Sequence, residues 1–208
     1  MWDKSDDIDF NLLPEQFVLK CTHDSGSVII CKDKEAFDFK NAKMKLDFSM
    51  KLNHYNLSRE WPYKNIKARI IAEKFMEDKD YDSLNVYKIF TFNGTSKLIQ
   101  TIQNDKTPYA TIDYFDTEWN KLNLHQVFPN SDETLSRPEM LDEMLLLSEK
   151  LSENMPFVRT DFYIINGEIY FSEFTFFPDS GLSPFYPDIW DTTLGEWLEL
   201  PTKSCNSL

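Results

Sequence analysis

Short apolar runs alternate with amphipathic stretches along this chain. Phe17-Val18-Leu19-Lys20 is an apolar run that ends in a charge. Ser27-Val28-Ile29-Ile30-Cys31 is β-branched and predicts a second strand. Between them lies the small polar loop from Cys21 to Gly26. Lys34 to Met50 predicts a helix, with Phe37, Met44 and Phe48 spaced to share a face. Arg69 to Phe75 predicts a strand. Tyr87 to Phe92 predicts another, and it runs into Asn93-Gly94, a strong hairpin signal, before Lys97 to Ile102 returns. Residues 103–135 are irregular and aromatic and support no assignment. Ser136-Arg137-Pro138-Glu139 reads as a capping box with an early proline. Leu141, Met144, Leu145, Ser148 and Leu151 follow at helical spacing. Phe157 to Ile165 and Ile169 to Thr175 predict strands around Asn166-Gly167. The turn-rich Pro178-Asp179-Ser180-Gly181 and a short helix over Asp191 to Leu198 follow.

Composition narrows the function classes. The 208 residues are 41% hydrophobic and 15% aromatic, enough to bury a core without staples. Five Gly and ten Pro exclude collagen-like or linker-dominated architectures. The formal net charge is −13, which repels phosphate backbones and anionic membranes, so no nucleic-acid partner is expected. No apolar run is long enough for a membrane span. The start, Met1-Trp2-Asp3-Lys4-Ser5-Asp6-Asp7, lacks the basic and apolar parts of a secretory signal. Three cysteines show no CxxC and no metal-ligand spacing, which suits reduced thiols and a cytoplasmic location.

Two groupings could carry chemistry. Lys20 at a strand end, followed by Thr22, Ser25, Gly26 and Ser27, offers a cation, hydroxyls and backbone N–H groups. That suits a phosphate cradle, although it is not the P-loop pattern, and an ordinary polar turn is the alternative reading. The second is Arg159-Thr160-Asp161 with Glu173-Phe174-Thr175. Period-2 geometry puts Arg159 and Asp161 on one strand face, and Glu173 and Thr175 on one face of the other. Carboxylates on adjacent strands could hold Mg²⁺. A two-residue Asn166-Gly167 turn sets Asp161 and Glu173 on opposite faces. A shared metal site therefore requires a three-residue loop or a β-bulge. Without it, these are solvent-facing charges on an edge hairpin. The three histidines lie far apart, and only His23 sits in a candidate loop.

The order of these stretches resembles the TupA-like branch of the ATP-grasp superfamily. The resemblance is carried by Leu13 to Cys21, Arg69 to Lys74, Tyr87-Lys88 before Phe92-Asn93-Gly94, Pro156 to Tyr163, and Gly167 to Phe176. It runs from about Asp9 to Leu200. It implies an α+β, ATP-grasp-like fold of antiparallel β-sheets with flanking helices and a nucleotide cleft between two β-rich halves. The halves would be residues 1–74, with the phosphate loop near Lys20, and 75–208, with the acidic hairpin. By resemblance the cofactors are ATP and Mg²⁺. Lys20 would contact the phosphates, and Ser25, Gly26 and Ser27 would close over them. Glu73 would sit at the adenine strand, with Lys74, Phe75 and Met76 continuing the hinge. Asp161 and Glu173 would be Mg²⁺ ligands, with Thr175 where the wider superfamily usually has asparagine. Arg159 would contact the phosphate or the intermediate.

The implied activity is ATP-dependent carboxylate–amine ligation through an acyl phosphate, in bacterial capsular polysaccharide or teichuronopeptide biosynthesis. The partners would be a nucleotide and a carboxylate-bearing sugar, polymer or amino acid. Three departures qualify this. Asp24 stands where the branch usually has glycine, so it must turn away from a triphosphate. Val86 stands where it usually has an acidic residue before the Tyr-Lys pair. Met1 to Phe10 matches an interior stretch of the family, so a lysine-bearing N-terminal segment is expected from elsewhere, such as a partner chain. A truncated remnant without its own activity and a phosphotransferase acting on a sugar or polymer are the alternatives. A basic groove for an acidic polymer would draw on Lys64, Lys67, Arg69 and Lys74.

Overall fold

The computed structural model describes residues 1–79, 84–104, 107–133 and 135–201. The chain divides into two compact units, Met1–Met76 and Glu77–Leu208.

The first unit is built on three antiparallel strands: β1 (Phe17–Cys21), β2 (Ile29–Cys31) and β3 (Ile70–Lys74), in the order β2-β1-β3. Alternation along β1 buries Phe17, Leu19 and Cys21 and leaves Val18 and Lys20 half-buried. The buried side packs with Ile8, Cys31, Ile70 and Leu46. Leu46 comes from helix α1 (Phe39–Ser49), and a short helix α2 (His54–Ser58) follows.

Helix α1 starts later than its sequence pattern predicts. The Asp38 side chain accepts the Asn41 N–H and caps the helix, so 34–38 stay outside it. Phe37 instead packs edge-on against Phe17 and Phe39. The inward face is Ala42 and Leu46, whereas Met44 and Phe48 are 57% and 65% exposed. Both pairs have helical spacing, and the docked one is the smaller, less hydrophobic pair.

The second unit holds a five-stranded antiparallel sheet. Its strands are β4 (Val86–Phe92), β5 (Thr95–Gln103), β6 (Thr111–Phe115), β7 (Phe157–Ile165) and β8 (Glu168–Thr175), in the order β6-β5-β4-β7-β8. Both hairpins close with two-residue Asn-Gly turns. Asn93 (φ 50°) and Gly94 (φ 76°), and Asn166 (φ 51°) and Gly167 (φ 77°), all take the left-handed conformation that a type I′ turn needs.

Helices cover parts of both faces. Helix α3 (Leu141–Leu151) sends Leu141 and Met144 onto Ile89, Ile99, Phe115 and Phe162. Helix α4 (Ile189–Trp197) sends Leu194 into the opposite cluster, with Phe90, Phe92, Leu98 and Tyr114. The expected capping box does not cap α3. The helix begins at Leu141 without a side-chain cap, and Arg137 instead pairs with Asp142 at 2.6 Å. Strand β6 lies inside the stretch that supported no assignment. It is buried on both faces, and Asp113 within it is held by Lys121 at 2.8 Å and the Ser131 N–H at 3.1 Å.

Candidate functional site

Strand pairing gathers a charged cluster on the face of the five-stranded sheet away from α3. From the Asn166-Gly167 turn, pairing runs Ile165 with Glu168 up to Phe162 with Phe171. The register then shifts, and Asp161 pairs with Glu173 and Arg159 with Thr175. Ser172 is the extra residue of this β-bulge. The loop is the short one, and the bulge restores both carboxylates to one face.

Arg159 clamps Asp161 through two bonds, Nε to Oδ1 at 2.8 Å and Nη2 to Oδ2 at 2.9 Å. Its Nη2 also donates to Thr175 Oγ1 at 2.9 Å and lies 4.0 Å from Glu173 Oε1. Lys88, opposite Asp161 on β4, places Nζ 3.5 Å from Oδ2. The Asp161 side chain is 2% exposed and that of Glu173 is 60% exposed. Two carboxylates and two cations thus balance within one patch. Burial lowers the pKa of Lys88, and Arg159 adds to this, while Asp161 and Glu173 oppose it.

The donor set fits a magnesium nucleotide. No group of three or more His, Cys, Asp or Glu gathers as a metal site among the described residues. Magnesium, however, needs only one or two carboxylates when phosphates and water supply the other oxygens. Each Asp161 oxygen retains lone-pair capacity beyond its Arg159 bond. Glu173 reaches solvent.

In the first unit, Lys20 and Glu73 share the half-buried face of their sheet and form an ion pair at 2.8 Å. Such a partly exposed pair contributes about 0–1 kcal/mol, so a polyphosphate can compete for Lys20. Asp24 is turned back into its own loop, where it accepts from Ser27 Oγ at 2.6 Å. The same Oγ accepts the Cys21 N–H at 2.9 Å. Ser27's hydroxyl is therefore committed to the loop, whereas Ser25 and Gly26 (φ 114°) are exposed. Gly26 and Ser27 also line an open cavity of about 410 Å³, together with Met44, Lys45 and Phe48 of α1.

The remaining candidates separate. Lys74 is exposed and follows Glu73 on the strand, so it points to the other face. Phe75 lies under the Lys32 ammonium at 5.4 Å, and Met76 ends the unit. His23 is buried, with Nε2 3.2 Å from the Ser49 carbonyl. The expected basic grouping is partly neutralised. Lys67 and Arg69 share Asp3 at 3.0 and 3.2 Å, and Lys64 sits 4.1 Å over the Trp61 ring.

Lys88 was not singled out as a site residue from sequence. Its place beside Asp161 follows from β4 pairing with β7, which are distant in the chain. Beyond it, Gln100 Nε2 donates to the Tyr114 phenol at 3.0 Å, and the phenol donates to Gln126 Oε1 at 3.1 Å. Burial pushes the Tyr114 pKa well above the usual tyrosine range, and the charge of Asp179 pushes the same way. The unfolded chain then releases this proton first, so stability falls as pH rises past about 10. Tyr114→Phe is expected to make that decline shallower, read from urea midpoints between about pH 9 and about pH 11.

A profile of the TupA-like ATPgrasp family matches residues 1–199. The chain belongs to this family. Its fold is accordingly α+β and ATP-grasp-like. No curated protein matches significantly. Among solved structures, the chain is similar to a D-alanine–D-alanine ligase from Bacillus anthracis complexed with ATP. That match has 18% identity and a TM-score of 0.42, covering 81% of this chain and 45% of that one. A second is the D-alanine–D-alanine ligase of Helicobacter pylori, at 18% identity and a TM-score of 0.43, covering 94% of this chain and 51% of that one. The chain spans about half the length of these proteins.

Proposed function

We propose that this ATP-grasp chain is an ATP-dependent ligase. It joins a carboxylate to an amine through an acyl phosphate, in building bacterial surface polysaccharide or teichuronopeptide. The observation that carries the reading is the bulge-set pairing of Asp161 with Glu173, with Arg159 and Lys88 beside them.

In this reading Lys20 binds phosphate, and the exposed Ser25-Gly26 backbone supplies N–H donors. Ser27 shapes the loop through its hydroxyl. Glu73 takes the adenine end, with Lys74, Phe75 and Met76 following it. Asp161 and Glu173 hold Mg²⁺, with Thr175 as a further oxygen. The metal supplies neutralisation of the phosphate oxygens. Arg159 stabilises the transferring phosphoryl group through its planar fork of donors.

A carboxylate oxygen of the acceptor attacks the γ-phosphorus, and the bond to the bridging oxygen breaks to release ADP. The amine nitrogen then attacks the acyl carbon, phosphate leaves with the electron pair, and the proton lost by the amine passes to the departing phosphate or to water. Positioning and electrostatics suffice, without a covalent protein nucleophile. An ATP-consuming reaction of this kind belongs in the cytoplasm, and no helix among the described residues is long and apolar enough to cross a membrane. The test is ADP release with candidate amino acids and uronic acids. Release is expected only when carboxylate and amine are both present. Phosphorylated polymer formed without any amine would contradict ligation and indicate phosphotransfer.

A further inference from the structure

Lys88, Gln100 and Tyr114 extend the site across the sheet. Directly opposed positions run Tyr114, Gln100, Lys88, Asp161 and Glu173 from β6 to β8. The polarity of this row is set from the Gln126 end. The Ser183 carbonyl can only accept, so Gln126 presents its amide nitrogen there, at 2.8 Å. The Gln126 oxygen then faces Tyr114 and accepts the hydrogen bond that the phenol O–H donates. The phenol oxygen accepts from Gln100 Nε2. The Gln100 oxygen is left buried and without a hydrogen-bond partner. A buried acceptor of that kind is costly unless something uses it.

The residue directly opposite Gln100 on β4 is Lys88. Its ammonium carries three donors. Its contact with Asp161, at 3.5 Å, is long for a charged hydrogen bond. Arg159 meanwhile holds both Asp161 oxygens. A divalent cation arriving at Asp161 repels both neighbours. Arg159 can follow the phosphoryl group. Lys88 needs another acceptor.

We propose that Lys88 is a positioning residue with two resting places: Asp161 when the site is free, and the Gln100 oxygen once a magnesium nucleotide claims Asp161. This rests on the ATP reading of the site. Gln100 then raises nucleotide affinity without touching the nucleotide, because it takes up the cation that competes with the metal.

The test is a double-mutant cycle on the full chain, with Mg²⁺ and a non-hydrolysable ATP analogue as the probe. Calorimetry gives the affinity, and thermal denaturation checks folding. Gln100→Leu is expected to weaken binding about tenfold. On a Lys88→Met background the same change should have no effect beyond about twofold, since the competitor is gone. A loss from packing alone would persist on that background. Nitrogen-15 NMR of the lysine ammonium groups adds a readout without turnover. The Lys88 signal should move when probe is added to the wild type.

Wild-type affinity in Gln100→Leu, or the same loss on both backgrounds, overturns the inference. Should Gln100→Leu fail to fold, Gln100→Glu keeps an oxygen acceptor and should bind at least as tightly as wild type. Weaker binding by Gln100→Glu would overturn the inference instead. If the wild type binds no probe, the ATP reading itself fails. If the wild type binds and Gln100→Leu matches it, this inference fails alone.

Discussion

Asp161→Asn is expected to destabilise the second unit by about 3 kcal/mol and to remove ATP turnover. The Asp161 carboxylate is buried and meets Arg159 at 2.8 Å and Lys88 at 3.5 Å. Removing its charge leaves two cations facing each other in a poorly solvated patch. Asparagine has a similar shape but one acceptor oxygen, so the two-bond clamp by Arg159 is lost as well. Urea denaturation of the purified variant measures the first effect and ADP release the second. Unchanged stability would mean that the two cations find water or other counter-charges.

Glu173→Gln separates chemistry from folding at the same site. Its side chain is 60% exposed and lies 4.0 Å from Arg159, so its folding contribution is small. Stability is expected to stay within about 0.5 kcal/mol of wild type. Magnesium-dependent turnover is expected to fall on the order of a hundredfold, because one of the two carboxylates proposed to hold the metal is gone. Raising the magnesium concentration should recover part of the loss. Unchanged Mg-ATP binding and turnover would remove Glu173 from the metal site.

Much of this arrangement was legible in the residues. Asn-Gly pairs announced both hairpins because few other residues tolerate two consecutive left-handed positions. Period-2 alternation put Arg159 with Asp161, and Glu173 with Thr175. A shared metal site demanded either a three-residue loop or a bulge, and the bulge at Ser172 has no signature of its own, since serine fits a regular strand or a bulge equally well.

Other parts needed the fold. Lys88 reads as a polar strand residue until β4 is known to lie beside β7. Strand β6 has no period-2 signal because burial on both faces erases alternation, and the charge of Asp113 within it is met only once the fold brings Lys121 to it. For α1, spacing pointed to the face of Met44 and Phe48, whereas Ala42 and Leu46 form the face that docks. The more hydrophobic one, Met44 with Phe48, stayed outside and lines the open cavity at the Gly26 loop. Asp24 looked hostile to a triphosphate, but its hydrogen bond to Ser27 ties its carboxylate into the loop.

The most direct measurement is positional isotope exchange in ATP labelled at the β–γ bridging oxygen, with magnesium and a panel of carboxylates but no amine. Acyl-phosphate formation is reversible, and rotation of the ADP β-phosphate then moves the label to a non-bridging position. The account predicts exchange that depends on one class of carboxylate and is lost in Glu173→Gln. Amide formation or polymer phosphorylation by this chain, without any such exchange while its carboxylate substrate is bound, would contradict it.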